Sequence, residues 1–473
     1  MRLDARQLDR AVGALLGAAA GDALGVPYEY GSRPLAADEP ARMLGGGLGG
    51  IEPGQWSDDT EMACVIAEVA ATGADLRSDE ALELIAQGFL RWCEDDPPDV
   101  GIQTRQVLSA TESGAGAAGR MRNVSAELHQ RTGRSAGNGS LMRTSPVALA
   151  HLGDPEAIAD ATRSVSELTH FDPMAGDACV LWCLAIDHAV RTGELDIRVG
   201  LPRVDASWGA LIEEAEGRDP AYFAPQSGWV VAALLAAWSA VSATGGLEDG
   251  LQAAVHGGGD TDTVAAIAGG LLGAGYGGSA VPARWRRMLH GWPGLWSRDL
   301  VRLAVLAARG GQPDGEGWPT APTIPSYAGA DTASVPHPDD PGVLLGAVGA
   351  LRPGVADAVV SLCRLGREQA PVTADPRDHI EVWLVDQDDA NNALLLVLAD
   401  TASVIRDRRA EGKTVFVHCV HAQTRTPLVA AAYGALITGC GATDALARVV
   451  AVLPDAAPGL SMVRTLGEFD GPP

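Results

Sequence analysis

The sequence predicts a multi-domain chain, in which an all-α domain is followed by a small α/β domain. Three observations carry this prediction. Apolar residues recur at helical spacing over about the first 310 of the 473 residues, a stretch rich in Pro, Gly and Asp follows, and short β-rich runs then alternate with helical segments. The length alone allows more than one domain.

The first domain, residues 1–310, is predicted to be helical throughout. Apolar residues at three- and four-residue spacing predict helices at 6–20, 60–72, 78–93, 155–168, 175–191, 229–243, 263–275 and 298–309. The chain has 58 glycines and much alanine, whereas aromatic residues make up only 5% of it. Because small side chains let helix backbones approach each other, we expect closely packed helices.

The remaining part divides into a linker and a second domain. Residues 311–341 lose the helical periodicity and are dominated by Pro, Gly and Asp, which predicts a linker. In the second domain, 342–473, β-rich runs predict strands within 357–365, 380–386 and 414–419, with helices at 391–410 and 427–438. Strands that alternate with helices favour a partly parallel sheet.

Composition excludes some classes of partner. The net charge of −25 repels a phosphate backbone, so we expect no general nucleic-acid binding, although a local phosphate site made of backbone N–H groups stays open. Seven cysteines without regular spacing favour a reducing cytosol and hence a cytoplasmic protein. The N-terminal stretch does not resemble a signal peptide, and no apolar run is expected to be long enough to span a bilayer, so we expect no membrane partner.

Two acidic tetrads precede predicted helices, "SDDT" at 57–60 and "DTDT" at 260–263. One aspartate or hydroxyl would serve as a helix cap, but two aspartates with hydroxyls exceed what a cap needs. Adjacent carboxylates repel each other, more so when buried, and a divalent cation relieves this. Hard oxygen ligands suit Mg²⁺, Mn²⁺ or Ca²⁺. If the tetrads converge they hold two ions; the alternative is two solvated acidic caps.

Two further stretches are candidates for substrate binding. "RSAGNGSLMRTSP", 134–146, places Asn138, Gly139 and Ser140 in a tight polar turn whose N–H groups suit a phosphate or ribose. "LTHFDPMAG", 168–176, sets His170 at a break before a new helix. A single histidine is more often structural, so His170 gains weight only beside the other motifs.

Together these motifs resemble the ADP-ribosylglycohydrolase family. "GALLGAAAGDALGVPYE", "QWSDDTEM", "GNGSLMR", "THFDP" and "GGGDTDTVAAIAGGLLGAGYG" occur in the family's order over roughly 10–300. The resemblance implies an all-α fold around two Mg²⁺ (or Mn²⁺) ions, held by Ser57, Asp58, Asp59, Asp260, Asp262 and Thr263. Ser57 stands where threonine is common in the family, and the hydroxyl is kept.

The resemblance also implies the substrate site and the reaction. Glu29 matches the family's acidic residue on a mobile loop near the metals, and the segments that line the ADP-ribose site are matched by Asn138, Gly139, Ser140 and His170. Glycosidic cleavage passes through an oxocarbenium-like state and needs an activated water. A metal pair lowers the pKa of bound water, and either Asp59 or Glu29 could move the proton. An ADP-ribosylated protein or small molecule is the expected substrate; the linkage stays open between arginine, serine, a nucleic-acid base and a small molecule.

The second domain carries a different signature. "TVFVHCVHAQTRTPLVAAAYGALI", 414–437, places a thiol, Cys419, at the end of a strand and Arg425 and Thr426 at the start of a helix, where the loop N–H groups and the guanidinium suit a phosphate. From about 342 to 465 the chain resembles the cysteine-dependent protein-tyrosine and dual-specificity phosphatases.

In that family the Cys attacks phosphorus, the Arg binds the phosphoryl group, the hydroxyl after the Arg helps the thiolate leave and an upstream Asp protonates the leaving group. Cys419, Arg425 and Thr426 match, and the acid is expected at Asp386, with Asp388 and Asp389 as rivals. Ala422 stands where the family usually has glycine, and its Cβ could strain the loop. A phosphate-binding or vestigial domain is therefore the alternative to an active phosphatase.

Two other interpretations of the whole chain remain at this point. It could be a phosphatase whose helical domain is a metal-stabilised scaffold, or a module that binds ADP-ribose without cleaving it. The complete acidic tetrads favour hydrolysis, because binding ADP-ribose alone would not require two cations.

Overall fold

The computed structural model describes residues 2–469, which form two compact units. The first unit comprises the residues up to Val281 together with Met288–Gln312, and the second comprises Pro282–Arg287 together with the residues from Pro313 on. The sequence prediction placed 282–287 in the first domain, and this assignment is corrected.

The first unit is built almost entirely of helices, and all eight predicted helices are present. Its described helices are α1 Ala5–Gly25, α2 Asp58–Ala70, α3 Asp79–Glu94, α4 Ile102–Ser109, α5 Ala117–Thr132, α6 Ser145–Ala150, α7 Pro155–Glu167, α8 Pro173–Thr192, α9 Trp208–Glu216, α10 Val230–Ala243, α11 Leu247–His256, α12 Thr261–Tyr276 and α14 Ser297–Ala308. Two short strands, β1 His290–Gly291 and β2 Leu295–Trp296, pair antiparallel beside them.

Helices α1 and α12 cross in direct backbone contact through glycines. A Cβ added at Gly17 would overlap the carbonyl oxygen of Gly269, and one added at Gly21 would overlap that of Ala265. The expected close packing of small residues is confirmed here. This contact sets the first turn of α12 against the C-terminal end of α1.

The central helix corrects one expectation. The apolar segment that begins at Ala5 is long and apolar enough to cross a membrane by length and composition, which the sequence analysis had excluded. Every residue of its most apolar 18-residue stretch is buried inside the unit. A core helix can be as long and as apolar as a membrane-spanning helix, and α1 is a buried core helix of this unit.

The second unit is a five-stranded sheet with helices. Its strands are β3 Ser334–His337, β4 Asp340–Ala347, β5 Ala358–Ser361, β6 His379–Glu381 and β7 Val415–Cys419, and its helices are α13 Ala283–Arg286, α15 Leu394–Ala410, α16 Arg425–Thr438, α17 Ala442–Val452 and α18 Leu460–Leu466. The strand order is β3-β4-β7-β5-β6, with β3 antiparallel to β4 and the other pairs parallel. The predicted partly parallel sheet is confirmed.

The predicted linker, 311–341, is largely part of the second unit. Strand β3 and the start of β4 lie within it. Trp318 is buried, and the Arg364 guanidinium lies over its ring with 4.5 Å to the centroid. Arg364 also forms an ion pair with Asp314, at 3.2 Å. Proline and glycine therefore shape an irregular but packed segment here, and the linker prediction is corrected from Pro313 on.

Candidate functional site

The two acidic tetrads meet in the first unit. Ser57 and Asp260 occupy the N-cap positions of α2 and α12, yet within residues 2–469 neither side chain caps its helix. The side chains of Asp4, Ser78 and Asp154 do cap theirs. The tetrads are thus freed from capping, and the six side chains predicted to bind metal are all buried, namely Ser57, Asp58, Asp59, Asp260, Asp262 and Thr263.

Asp59 lies at the point where the tetrads touch. Its Oδ2 is 3.1 Å from the Ser57 hydroxyl and 3.5 Å from that of Thr263. Its Oδ1 is buried and has no hydrogen-bond partner among the described residues. Burial, together with the charges of Asp22 and Asp58, raises the pKa of Asp59. An orphaned carboxylate oxygen at such a place fits a cation, because an unpaired buried charge is costly.

A second group of carboxylates lies beside it. Oxygens of Glu29, Asp99 and Asp262 all lie within 4.8 Å of one another. Burial, followed by the charges of Asp99 and Asp260, raises the pKa of Glu29 to about 8. The pKa of Asp262 is also raised, first by burial and then by Asp260 and Asp59. A divalent cation would relieve this mutual repulsion.

Asp22 organises the start of α2, and the sequence analysis did not assign it a role. Its carboxylate accepts hydrogen bonds from the backbone N–H and the hydroxyl of Ser57, at 2.9 and 2.8 Å, and from those of Thr60, at 3.0 and 2.6 Å. Asp22 Oδ1, at 2.8 Å, is a nearer acceptor for the Ser57 hydroxyl than Asp59 Oδ2, at 3.1 Å. With its one proton directed to Asp22, the hydroxyl keeps its lone pairs for a cation. Asp22 could have been noticed as the acid that interrupts the apolar run of α1.

Asp58 and Asp260 are each held by a neighbour. Asp58 Oδ2 accepts the backbone N–H of Gly101 at 3.2 Å. Asp260 Oδ2 accepts the Tyr30 hydroxyl at 3.1 Å and the Asn138 amide at 2.8 Å. Asp260 Oδ1 therefore remains as the oxygen that can bind a metal. Asn138 joins the predicted substrate turn directly to the second tetrad.

A cleft of about 490 Å³ opens beside these carboxylates, a volume typical of small-molecule sites. Glu29, Asn138, Gly139 and His170 line it, as do Asp58, Asp260, Asp262 and Thr263. Ser140 is not among the described lining residues. It is buried, and its hydroxyl lies 3.5 Å from the Cys179 sulfur. The cleft also has lining residues that the sequence analysis missed, among them Asp99, Gln103 and Arg134.

The second unit carries its own candidate site. Cys419 ends β7 and is buried, and Arg425 begins α16. The Arg425 guanidinium donates to the carbonyl oxygens of Leu362 and Leu384, at 3.3 and 3.1 Å, and forms an ion pair with Asp386 at 3.1 Å. The Thr426 hydroxyl is buried without a hydrogen-bond partner in the part of the chain that is described.

The loop between Cys419 and Arg425 has the strain that the sequence predicted. Ala422 has φ +57°, a left-handed conformation that favours glycine. Of the three candidate acids, Asp386 is the one with a described contact to Arg425. A Cβ on Gly459 would instead overlap the Asp388 carboxylate, so Asp388 packs against that glycine.

Comparison with known proteins covers the first unit. The ADP-ribosylglycohydrolase family pattern matches residues 3–314. The ADP-ribosyl-dinitrogen reductase glycohydrolase of Rhodospirillum rubrum is 29% identical over 289 residues, 59% of this chain and 89% of the relative. The ADP-ribosylarginine hydrolase Tri1 of Pseudomonas putida (strain GB-1) is 30% identical over 303 residues, 63% of this chain and 77% of the relative.

Two solved structures match the chain to different extents. An ADP-ribosylglycohydrolase-related protein complex covers 65% of this chain and 99% of its own, with 28% identity and a TM-score of 0.50. Human DUSP28 covers 29% of this chain and 95% of its own, with 20% identity and a TM-score of 0.26. The phosphatase resemblance of the second unit therefore depends on its own residues.

Proposed function

Because this chain belongs to the ADP-ribosylglycohydrolase family, we propose that its first unit is a metal-dependent hydrolase that releases ADP-ribose from an ADP-ribosylated arginine side chain. The observation that supports it most is the meeting of two buried acidic helix starts around the orphaned Asp59 Oδ1. Relatives named for ADP-ribosylarginine and for ADP-ribosylated dinitrogen reductase support the substrate class.

The charge of the cleft favours arginine among the linkages left open. Arg134 is the one arginine or lysine among the described lining residues, whereas five lining residues are acidic, namely Glu29, Asp58, Asp99, Asp260 and Asp262. A guanidinium leaving group is cationic and offers several N–H donors. With the tetrad carboxylates occupied by cations, Glu29 and Asp99 are the lining acids left to stabilise arginine as it leaves, and they would repel an acidic leaving group.

We assign the metal ligands to the side chains of the two tetrads. The hydroxyls of Ser57 and Thr263 and the free carboxylate oxygens of Asp59, Asp260 and Asp262 form a hard oxygen set that fits Mg²⁺ or Mn²⁺, with Asp58 beside them. When bound, such ions lower the pKa of a bound water and offset negative charge. Asp22 keeps the Ser57 hydroxyl oriented for this role.

The remaining side chains bind the substrate and move the proton. Glu29 lines the cleft and Asp59 does not, so we assign proton transfer at the scissile bond to Glu29. Asn138 is fixed by its bonds to Ser227 O and Asp260, at 2.9 and 2.8 Å, and presents the turn of Gly139 to the substrate.

Release of free ADP-ribose from an ADP-ribosylarginine peptide tests this proposal. EDTA should abolish release by the full chain, and Mg²⁺ or Mn²⁺ should restore it. An ADP-ribosylserine peptide should be cut far more slowly. Release that is unaffected by EDTA would refute the metal dependence, and equal rates on both peptides would refute the arginine assignment.

The second unit supports a second proposed activity, the hydrolysis of phosphate monoesters. Cys419 and Arg425 flank one loop, and the Asp386 carboxylate forms an ion pair with the Arg425 guanidinium. The Cys419 thiolate would attack phosphorus and form a phosphocysteine, while the leaving oxygen takes a proton from Asp386. Asp386, now a carboxylate, would take a proton from water as the water oxygen attacks phosphorus; the P–S bond breaks, phosphate is released and the thiolate is restored, assisted by Thr426. Equal p-nitrophenyl phosphate hydrolysis by the chain and its Cys419→Ser variant would exclude a catalytic thiol.

A further inference from the structure

Two side chains on the wall of the cleft have hydrogen-bonding directions that their surroundings fix. Gln103 and His170 both line the cleft near Gly137. An amide can be turned over and an imidazole has two neutral tautomers, so each could offer either a donor or an acceptor. The neighbouring contacts decide both cases.

Gln103 presents an acceptor to the cleft. Its Nε2 donates to the carbonyl oxygens of Ser135 and Thr169, both at 3.0 Å. Carbonyl oxygens only accept, so the amide nitrogen must face them. The other end of the amide, Oε1, is then directed toward Gly137, where a Cβ would lie 3.5 Å from it.

His170 presents a donor. The Arg143 guanidinium, which is buried and can only donate, donates to Thr169 Oγ1 at 2.7 Å. The Thr169 hydroxyl is 2.8 Å from His170 Nδ1. Because its proton has no other acceptor among the described contacts, we infer that the hydroxyl donates to Nδ1. Burial, and then the charge of Arg143, lowers the pKa of His170 to about 3, so the ring is neutral with its proton on Nε2.

The two groups lie next to the same point of the wall. A Cβ on Gly137 would be 3.2 Å from His170 Nε2 and 3.5 Å from Gln103 Oε1, and one on Gly139 would also be 3.2 Å from His170 Nε2. Glycine at both positions thus leaves this donor and acceptor uncovered. Since they are so close, one small group of a ligand can meet both.

We propose that Gln103 and His170 form a donor–acceptor pair that binds one ribose hydroxyl of ADP-ribose, with Arg143 and Thr169 as positioning residues that set its polarity. The identity of the ligand depends on the proposed function. A hydroxyl donates and accepts at a single oxygen, as this pair requires, whereas a phosphate oxygen only accepts and would face the Gln103 carbonyl unfavourably.

Binding of ADP-ribose and its monodeoxy analogues to the Mg²⁺-loaded chain tests the pair. In the unmodified chain one analogue should bind about 3- to 10-fold more weakly than ADP-ribose, the size of one neutral hydrogen bond. Thr169→Val and Gln103→Met should weaken the binding of ADP-ribose by a similar factor. In both variants that same analogue should then bind as tightly as ADP-ribose. Thr169→Ser, which keeps the hydroxyl, should behave like the unmodified chain.

Two controls separate this role from a structural one. Thr162→Val removes another buried hydroxyl, one that does not line the cleft, and should leave binding unchanged. Nitrogen-15 NMR should find the His170 proton on Nε2 in the unmodified chain and in Thr169→Ser, and a mixture of tautomers in Thr169→Val.

The outcomes distinguish this inference from the function it rests on. Failure of the unmodified chain to bind ADP-ribose would overturn the proposed function and the hydroxyl ligand with it. Normal binding with a proton on Nδ1, or with equal penalties for every deoxy analogue in all variants, would overturn the pair alone. A penalty seen only with deaza-adenine analogues would assign the pair to the base and overturn the hydroxyl.

Discussion

Thr263 Oγ1 lies 3.5 Å from Asp59 Oδ2, although 204 positions separate the two residues in the chain. Asp59 lies in the first turn of α2 and Thr263 in the first turn of α12. The crossing of α1 and α12 brings the start of α12 close to Asp22 of α1, which binds the start of α2. Neither N-cap side chain, Ser57 or Asp260, caps its own helix, and at the start of α2 the backbone N–H groups of Ser57 and Thr60 donate to Asp22. The side chains are directed toward each other instead, and the buried negative charge that results favours a cation.

Replacing Asp59 or Asp262 by asparagine should abolish ADP-ribose release while the chain still folds. Each change removes a carboxylate from the proposed metal site and also relieves repulsion within the buried cluster. Without added metal the thermal midpoint should therefore stay equal or rise, and Mg²⁺ should no longer raise it. The control is Asp79→Asn, an exposed acid in the first turn of α3. Full activity in either variant would refute the site.

Gly17→Ala should destabilise the first unit by about 1 to 3 kcal/mol or more, because its Cβ would overlap the backbone of Gly269, which cannot move independently of α12. Displacement of α12 should also lower hydrolysis. The matched control is Gly119→Ala in α5, where an added Cβ meets nothing within 4 Å, and a gain of about 0.5 to 1 kcal/mol is expected. Similar midpoints for the two variants in thermal unfolding would contradict the close α1–α12 packing.

Ala422→Gly should stabilise the second unit by up to about 1 kcal/mol, because glycine adopts φ +57° without strain. Hydrogen exchange of peptides covering β7 and α16 measures the change. Ala431→Gly, in the buried middle of α16, should have the opposite effect. Faster exchange in Ala422→Gly would show that the loop is not strained at this residue.

The second unit should lose stability in acid through His418. Burial, which outweighs the other influences, lowers the pKa of this histidine to about 4, and its Nε2 is 2.6 Å from the buried Ser361 hydroxyl. In the unfolded chain the histidine takes up a proton near pH 6.5. The contribution of neutral His418 to the free energy of unfolding is therefore complete above that pH and is lost as the pH falls toward 4.

The free energy of unfolding is expected to fall by about 1 to 3 kcal/mol. At pH 5 the amides of β7 should therefore exchange faster than the pH dependence of exchange in an unfolded chain explains. His418→Gln should flatten this pH dependence, and His421→Gln, at an exposed position, should preserve it. An unchanged slope in His418→Gln would contradict the assignment.

The sequence predicted the elements with strong periodicity and the residues within short motifs. Helices such as α8 and α12 and strand β7 carry long apolar faces or buried runs, so local pattern was sufficient. Helix α5, which is polar and buries only Ala117, Met121, Ser125 and Leu128, has no such pattern and was missed. The segment from Pro313 was mistaken for a linker, because proline and glycine mark irregular backbone whether or not it is packed.

The site was predictable only in part, because convergence in space leaves no local signal. The tetrads were found from their unusual density of oxygens. Asp99 is a single acid in a loop, and Gln103 is a polar residue on a short helix; each gains its place from partners distant in sequence. Ser140 shows the reverse case, since its turn lines the cleft while its own side chain faces α8.

Anomalous scattering from crystals of the full chain grown with Mn²⁺ tests the central claim most directly. We predict a manganese peak in contact with Asp59 Oδ1 and with Asp262, and its loss in crystals of Asp59→Asn. Ordered tetrads without a manganese peak between them, or a peak that persists in Asp59→Asn, would contradict the account.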